Sequence, residues 1–361
     1  MPDHVYIIAE IGINHNGAFD NCRRMIDAAA DAGCDAAKFQ LFTARHLYPR
    51  SAGTLDWKDA AGEYSYNIYE AAERFELPEA WIDGLMAHCA ARKLDFLSSV
   101  SDEFGLRLIV DRGVKRIKLT SYTLTNIPLI EHCARTGLPL ILSTGGSTIS
   151  EVDDALSAVK KFHDDVAVLH CSIRYPTALQ DCNLGVLDTF RYAFPGVTIG
   201  YSDHTTEVSD APVQAVRLGA RIIEKHFTLD KSMTGPDHFF ALEPSELSRM
   251  VRDIRQTEAD GADRNIDPVL YGNTARIPYP QEVYLREFAF TCLFAARPVR
   301  QGERISPADI AILRPGKKPR GLEPKYLRLF SDNRITAKKD IALEDPITWE
   351  AILNEKNPLP G

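Results

Sequence analysis

Apolar residues along this chain follow two alternating rhythms. Short runs such as Val5–Gly12 (VYIIAEIG) are apolar at almost every position, as a strand buried on both faces of a parallel sheet must be. Between such runs, segments such as Phe19–Ala32 carry apolar residues every three or four positions, the spacing of a helix with one buried stripe. The alternation predicts further strands at Asp35–Phe42, Asp95–Val100, Arg116–Ser121, Pro139–Thr144, Val166–Ser172, from Ile199 to His204, and at Arg221–Thr228. Helices are predicted at Glu103–Asp111, Asn126–Thr136, Ser150–His163, near Leu184–Ala193, at Val208–Leu218 and from Pro244 onward. The long connection after the second strand is predicted to hold helices at Ser65–Arg74 and Pro78–Arg92. Eight strand–helix units in about 250 residues have the length and period of a (β/α)₈ (TIM) barrel. A doubly wound open sheet is the structural alternative, and it needs a reversal in strand order.

The pattern dissolves between Asp260 and Tyr284, which is rich in Gly, Pro and Asn. Three parts follow: a barrel over 1–260, a linker over 261–286, and a small β-rich module over 287–361. The phrases RPVRQGERISPADIAIL and KKDIALEDPITWEAIL within that module form an imperfect internal repeat.

Composition narrows the function classes. A formal charge of −8 over 361 residues argues against a nucleic-acid binder, whose surface is usually basic. Local cations still allow a phosphorylated substrate. Seven scattered cysteines, with no metal-ligand spacing, suit reduced thiols in a cytosol. The start, MPDHVYIIAEIG, has no charged leader before an apolar core, and no apolar run reaches the length of a membrane span. The expectation is a cytoplasmic protein.

In such barrels, chemistry sits at the carboxyl ends of the strands. Because strand side chains repeat every two residues, Ser202 and His204 share one face, as do Glu224 and His226 on the next strand. With strands about 4.8 Å apart, both imidazoles reach one ion at about 2.1 Å. The same ends carry Glu10, Lys38, Gln40, Ser99, Lys118, Ser121, Ser143, Tyr175 and Asp237. Lys38 and Lys118 are point charges suited to phosphate or carboxylate. Ser143-Thr144-Gly145-Gly146 offers hydroxyls and unhindered N–H groups, as an anion nest needs. Two protein nitrogens leave positions open for water and a substrate oxygen. That favours six-coordinate Mn²⁺, with Mg²⁺ or Co²⁺ as alternatives, polarising a carbonyl.

Several ordered motifs, AEIGINHNG (9–17), KFQ (38–40), LSTGG (142–146), LHCSIRYPT (169–177), IGYSDHT (199–205), EKHFT (224–228) and GPD (235–237), resemble the sialic acid synthase family. RPVRQGERISPADIAILRPG resembles the antifreeze-like (SAF, β-clip) module that closes those enzymes. The resemblance implies a metal-dependent transferase. It would join phosphoenolpyruvate to an open-chain N-acetylated aminosugar, N-acetylmannosamine or a 2,4-diacetamido relative, giving a nine-carbon 2-keto acid and phosphate. It implies His204 and His226 as metal ligands, and Lys38, Ser99, Lys118, Ser121, Ser143 and Ser202 around phosphoenolpyruvate. Glu10 would manage the water or its proton, Glu224 would lie near the metal, and Gln40, Tyr175 and Asp237 would face the sugar. Arg314 would enter a partner's active site, so the resemblance implies a domain-swapped homodimer. Three departures mark the motifs, the first being Ser98-Ser99-Val100-Ser101-Asp102-Glu103 where the family commonly has STPFDE. Ile173 replaces a small polar residue, with Arg174 as its expected substitute, and Thr120-Ser121-Tyr122-Thr123 lacks the usual acidic sugar contact. A metal-dependent aldolase or lyase on the same barrel, or a non-catalytic sugar-binding homologue, are the competing readings.

Overall fold

The computed structural model describes residues 4–59, 62–261, 265–332 and 334–353. Among the described residues, ten strands precede the small module: β1 (Tyr6–Gly12), β2 (Ala36–Leu41), β3 (Thr54–Asp59), β4 (Gly62–Asn67), β5 (Asp95–Val100), β6 (Ile117–Leu119), β7 (Leu140–Ser143), β8 (Val166–His170), β9 (Thr198–Asp203) and β10 (Ile222–His226). All but β3 and β4 pair in parallel and close a barrel in the order β1-β10-β9-β8-β7-β6-β5-β2, which decides against the open sheet. Each barrel strand leads to a helix on the outside, among them Phe19–Asp31, Glu79–Ala91, Ile149–Lys160 and Pro244–Asp260.

Alternation along the strands sorts the side chains. Tyr6, Ile8, Ala36, Leu97, Ile141, Ala167, Leu169 and Ile222 form one buried cluster, the apolar plug of the barrel interior. Burying each such aliphatic side chain contributes about 1.5–3 kcal/mol. Gly200 is small because the plug needs the room: a Cβ there would lie 2.4 Å from Leu169 Cδ2. Two residues further along the strands, the same inward positions become polar, with Glu10, Lys38, Ser99, Ser143, Ser202 and Glu224. Outward residues such as Ile7, Ala9, Phe39 and Ile223 pack with the helices into the main core.

Local chemistry sets the helix starts. Thr148 and Glu151 form a reciprocal cap: the Glu151 N–H donates to Thr148 Oγ1 at 3.2 Å, and the Thr148 N–H donates to Glu151 Oε2 at 2.8 Å. Asn126 Oδ1 accepts from the Leu129 N–H at 3.3 Å.

Three sequence expectations change. The long connection holds an antiparallel hairpin, β3–β4, so the predicted helix from Ser65 begins only at Ile68, with Asn67 as its cap. The strand predicted to Ser121 stops at Leu119, and Ser121–Thr123 form a tight 3₁₀ turn. The linker holds a helix, Pro280–Ala289.

After that helix, β11 (Cys292–Ala295) and β12 (Ile310–Leu313) pair antiparallel over a small core including Leu293, Val299, Ile305, Phe330, Ile341 and Ile347. The module docks back on the barrel. The Arg314 N–H donates to Leu47 O at 2.8 Å, the Lys317 N–H to Ala52 O at 2.8 Å, and the Arg50 N–H to Glu344 Oε2 at 2.8 Å. All seven cysteines are buried and unpaired. Among the described residues no helix is long and apolar enough to cross a membrane.

Glu151 also pairs with Arg286 of the linker helix, whose Nη1 lies 3.0 Å from Oε2. Burial pushes the Glu151 carboxyl up, but the bonds from Arg286 and Thr148 outweigh it and hold the group below the ordinary 4.5. Its stabilisation is therefore complete above about pH 4.5 and is lost as pH falls through the lower folded value. Denaturant unfolding of Glu151→Gln should show a loss of about 1–3 kcal/mol at pH 7, and the difference from the parent should shrink steadily below pH 4.5.

Candidate active site

Six of the barrel strands deliver their inward polar residues to one buried cavity of about 580 Å³ at the carboxyl end. Glu10, Lys38, Gln40, Lys118, Ser121, Ser143, Tyr175, Ser202, His204, Glu224, His226, Asp237 and Arg314 all line it. Ser99 lines a joined pocket of about 430 Å³, with Gln40, Thr120 and Arg314 on the shared wall. The sequence-predicted site residues thus come together.

Four buried charges occupy the floor. Lys38 Nζ lies 2.7 Å from Glu10 Oε2 and 3.5 Å from Glu224 Oε2, while Lys118 Nζ lies 3.6 Å from Glu224 Oε1. Removing water raises the cost of every charge, so each is tolerable only beside its opposite. Burial pushes Glu10 up, and the Lys38 charge only partly offsets this. Glu224 is also desolvated, but Lys118 and Lys38 outweigh that and hold it low. The two carboxylates are therefore pushed apart in acidity, the arrangement that divides proton-holding from charge-holding. Hydroxyls complete the floor: Ser202 donates to Glu224 Oε1 at 2.9 Å, and Lys118 donates to Ser143 Oγ at 2.6 Å. Gln40 donates to Glu10 Oε1 at 2.8 Å, and Gly12 leaves room for that bond, since a Cβ would lie 2.9 Å from the same oxygen.

The two histidines face each other across β9 and β10, with ring centroids 5.3 Å apart. His204 Nδ1 lies 2.6 Å from the Ser172 carbonyl, which accepts its proton and leaves Nε2 as a lone-pair donor. Burial lowers His204 to about 4 and, with neighbouring positive charge, also holds His226 well below the ordinary 6.5, so both rings are neutral at pH 7. His226 Nδ1 is buried without a hydrogen bond, 3.6 Å from Asp237 Oδ2. Two neutral imidazoles beside Asp237 have the donor chemistry for a divalent cation with open coordination positions, although no cluster of three or more His, Cys, Asp or Glu side chains occurs among the described residues. Burial, then the Glu10 charge, pushes Asp237 up to about 7. Behind the site, Lys225 Nζ donates to Thr205 O at 2.7 Å and pairs with Asp203, which also accepts from the Thr205 N–H; this fixes the turn after His204.

Several expectations shift. Arg314 reaches the mouth of its own chain's barrel, its guanidinium 4.6 Å from the Tyr122 ring, because the module folds back over the strand ends. The anion nest expected at STGG is closed: the Gly145 N–H donates to Ser121 Oγ at 2.9 Å, Thr144 Oγ1 donates to Leu169 O, and of that run only Ser143 reaches the cavity. Arg174 does not stand in for the polar side chain that Ile173 lacks, since it is half-exposed and pairs with Asp181 at 3.2 Å. Thr123 turns its hydroxyl back to Thr120 O at 2.9 Å.

Other residues of the site escaped the sequence reading. Cys171, Tyr122, Tyr48, Phe239 and Leu285 line the cavity. Asn14 Nδ2 donates to Phe227 O and Asp237 O, and Asn16 bonds Thr234 O, so the NHNG turn holds the loop bearing Asp237. Two asparagines between an apolar strand and a helix were the available signal.

A family model described as the NeuB family matches residues 25–264, and a SAF domain model matches 290–353. The chain belongs to the NeuB family. It is 39% identical to the spore coat polysaccharide biosynthesis protein SpsE of Bacillus subtilis, over 98% of this chain and 95% of that one. It is 33% identical to the N,N'-diacetyllegionaminic acid synthase of Legionella pneumophila, over 96% and 94%. The crystal structure of SpsE superposes with a TM-score of 0.86 at 38% identity, covering 98% of this chain and 97% of that one. The N-acetylneuraminic acid synthetase of Leptospira borgpetersenii, solved with citrate, gives 0.64 at 30% identity, covering 79% and 91%. The fold of this NeuB-family chain, barrel and closing module together, therefore recurs in the SpsE structure.

Ile173 explains two of its glycines. At Gly146, with φ +65°, a Cβ would lie 2.6 Å from Ile173 Cδ1, and at Gly145 it would lie 2.8 Å from Ile173 Cγ2. Gly146→Ala should cost about 2–5 kcal/mol from backbone strain plus overpacking. Chemical denaturation of the same change in an Ile173→Ala background should show only the backbone part, about 1–3 kcal/mol; equal costs in both backgrounds would refute the clash.

Proposed function

We propose that this chain condenses phosphoenolpyruvate with an N-acetylated aminosugar to form a nine-carbon 2-keto acid, releasing phosphate. The observation that carries this reading is the joining of a two-lysine, three-serine floor to two neutral imidazoles within one cavity. Its volume of about 580 Å³ falls within the usual range for small-molecule sites. The names of the relatives, synthases of sugar acids, support the same class of product.

The roles follow from the charges. Lys38 and Lys118 would hold the phosphate and carboxylate of phosphoenolpyruvate, with Ser121, Ser143, Ser202 and, from the side pocket, Ser99 donating to its oxygens. His204 and His226 would hold a divalent cation, Mn²⁺ by preference, which supplies Lewis-acid polarisation of the sugar carbonyl oxygen. Carbon 3 of phosphoenolpyruvate bonds to the aldehyde carbon, water adds at carbon 2, and phosphate leaves. Glu10, pushed up by burial and steadied by Gln40, is suited to take the proton of that water. Tyr175 packs tilted against His204, ring centroids 4.2 Å apart, and, with Gln40, Asp237 and Arg314, would orient the sugar. Arg314 serves in cis in this reading. The homodimer is retained in the proposal on the family resemblance alone.

Incubation with Mn²⁺, phosphoenolpyruvate and a panel of N-acetylated hexoses should release phosphate only when sugar is present. No release with any sugar, while a control synthase turns over, would sink the proposal. Lys118→Met should lower kcat/KM by about 10²–10³-fold. Calorimetric titration should show that His204→Ala no longer binds Mn²⁺ while retaining phosphoenolpyruvate binding.

A further inference from the structure

The segment between the two family models, residues 265–289, is built into the candidate site rather than spanning a gap beside it. Arg276 is 1% exposed, and its ion-pair partner Glu282 is likewise 1% exposed, at 3.2 Å. Two buried charges on a connecting segment would be a liability unless every polar atom were satisfied. Here each atom is used, and largely on the loops after β7 and β8. Arg276 Nε donates to Ser147 O at 2.9 Å and Nη1 to Cys171 O at 3.2 Å. Glu282 Oε1 accepts from the Ile173 N–H at 2.9 Å. One helical turn later, Arg286 Nη1 donates to Gly146 O at 2.7 Å. The Ile149 N–H donates to Arg276 O at 3.0 Å, and Phe290 packs against Gly146.

These anchors converge on a single hydroxyl. Ser121 Oγ, which lines the cavity, accepts from the Gly145 N–H at 2.9 Å and meets Cys171 Sγ at 3.1 Å. Both of those groups belong to the loops held by the segment, and Ser143 begins the first of them. We infer that Arg276, Glu282 and Arg286 are positioning residues, a strap that fixes Ser121 and Ser143 and so sets the affinity of the floor for a phosphate-bearing anion. None of the three lines the cavity, so each acts through the groups it holds. Small displacements of oriented groups weaken binding and catalysis steeply, and residues one layer behind a site typically matter by about 10–100-fold.

The inference rests on the proposed phosphoenolpyruvate reading for its ligand, and two measurements keep the two separable. Calorimetry with the full chain should show that Arg286→Met and Arg276→Lys weaken phosphoenolpyruvate binding by about tenfold. Arg255→Met is the stability control, since it removes a comparable network at the other end of the barrel, where Arg255 bonds Val5 O, Asp35 and Glu258. It should lower the melting temperature while leaving phosphoenolpyruvate affinity alone. An equal fall in affinity in Arg255→Met, or no fall in the two strap variants, would overturn the inference. Hydrogen exchange without ligand should rise at the amides of residues 145–147 and 171–173 in the strap variants only; unchanged exchange there would likewise overturn it. If the parent chain binds no phosphoenolpyruvate, the functional proposal fails and the exchange result still decides the strap.

Discussion

Four charges placed inside a barrel govern the rest of this structure. Lys38 and Lys118 can be buried only because Glu10 and Glu224 stand within 2.7–3.6 Å of them. Those carboxylates in turn need the lysines, Gln40 and Ser202. Such a cluster gains little net stability over an apolar filling, because desolvation consumes most of the Coulombic return. Its retention at the carboxyl ends of the strands, directly above an apolar plug, points to chemistry rather than to folding. The plug supplies the stability, and the polar layer uses it.

The parts of the site that were legible in the sequence are those that obey the strand period. Ser202, His204, Glu224 and His226 fall on inward positions because their neighbours Tyr201, Asp203 and Lys225 take the outward ones, and the parallel register sets them level. Lys38 and Gln40 follow the same rule against Ser99 and Lys118. Period two carries no information about loops, and there expectation and structure part. STGG reads as an open nest, whereas the amide of Gly145 is already committed to Ser121, 24 residues earlier. Arg174 reads as compensation for Ile173, but the turn directs it to Asp181.

Composition misled in a second way. A stretch rich in Gly, Pro and Asn reads as a spacer, yet Arg276 within it is bonded to Ser147, 129 residues away. A partner at that separation leaves no local trace. The hairpin β3–β4 is similar: the stretch from Ser65 reads as the first turn of a helix, whereas Ser65 and Tyr66 pair in antiparallel register with Asp56 and Leu55. In both cases tertiary pairing, absent from any short window, decides the outcome.

Arg314 reaches the barrel mouth from a turn held by backbone bonds to Leu47 and Ala52, more than 260 residues upstream. On a chain made from its amino end, the barrel's strands are all available long before that arginine leaves the ribosome. The charged floor can therefore assemble while its entrance still lacks one cation. Competence arrives late in synthesis, so a nascent or prematurely stopped polypeptide holds the charged floor without the residue that completes the doorway.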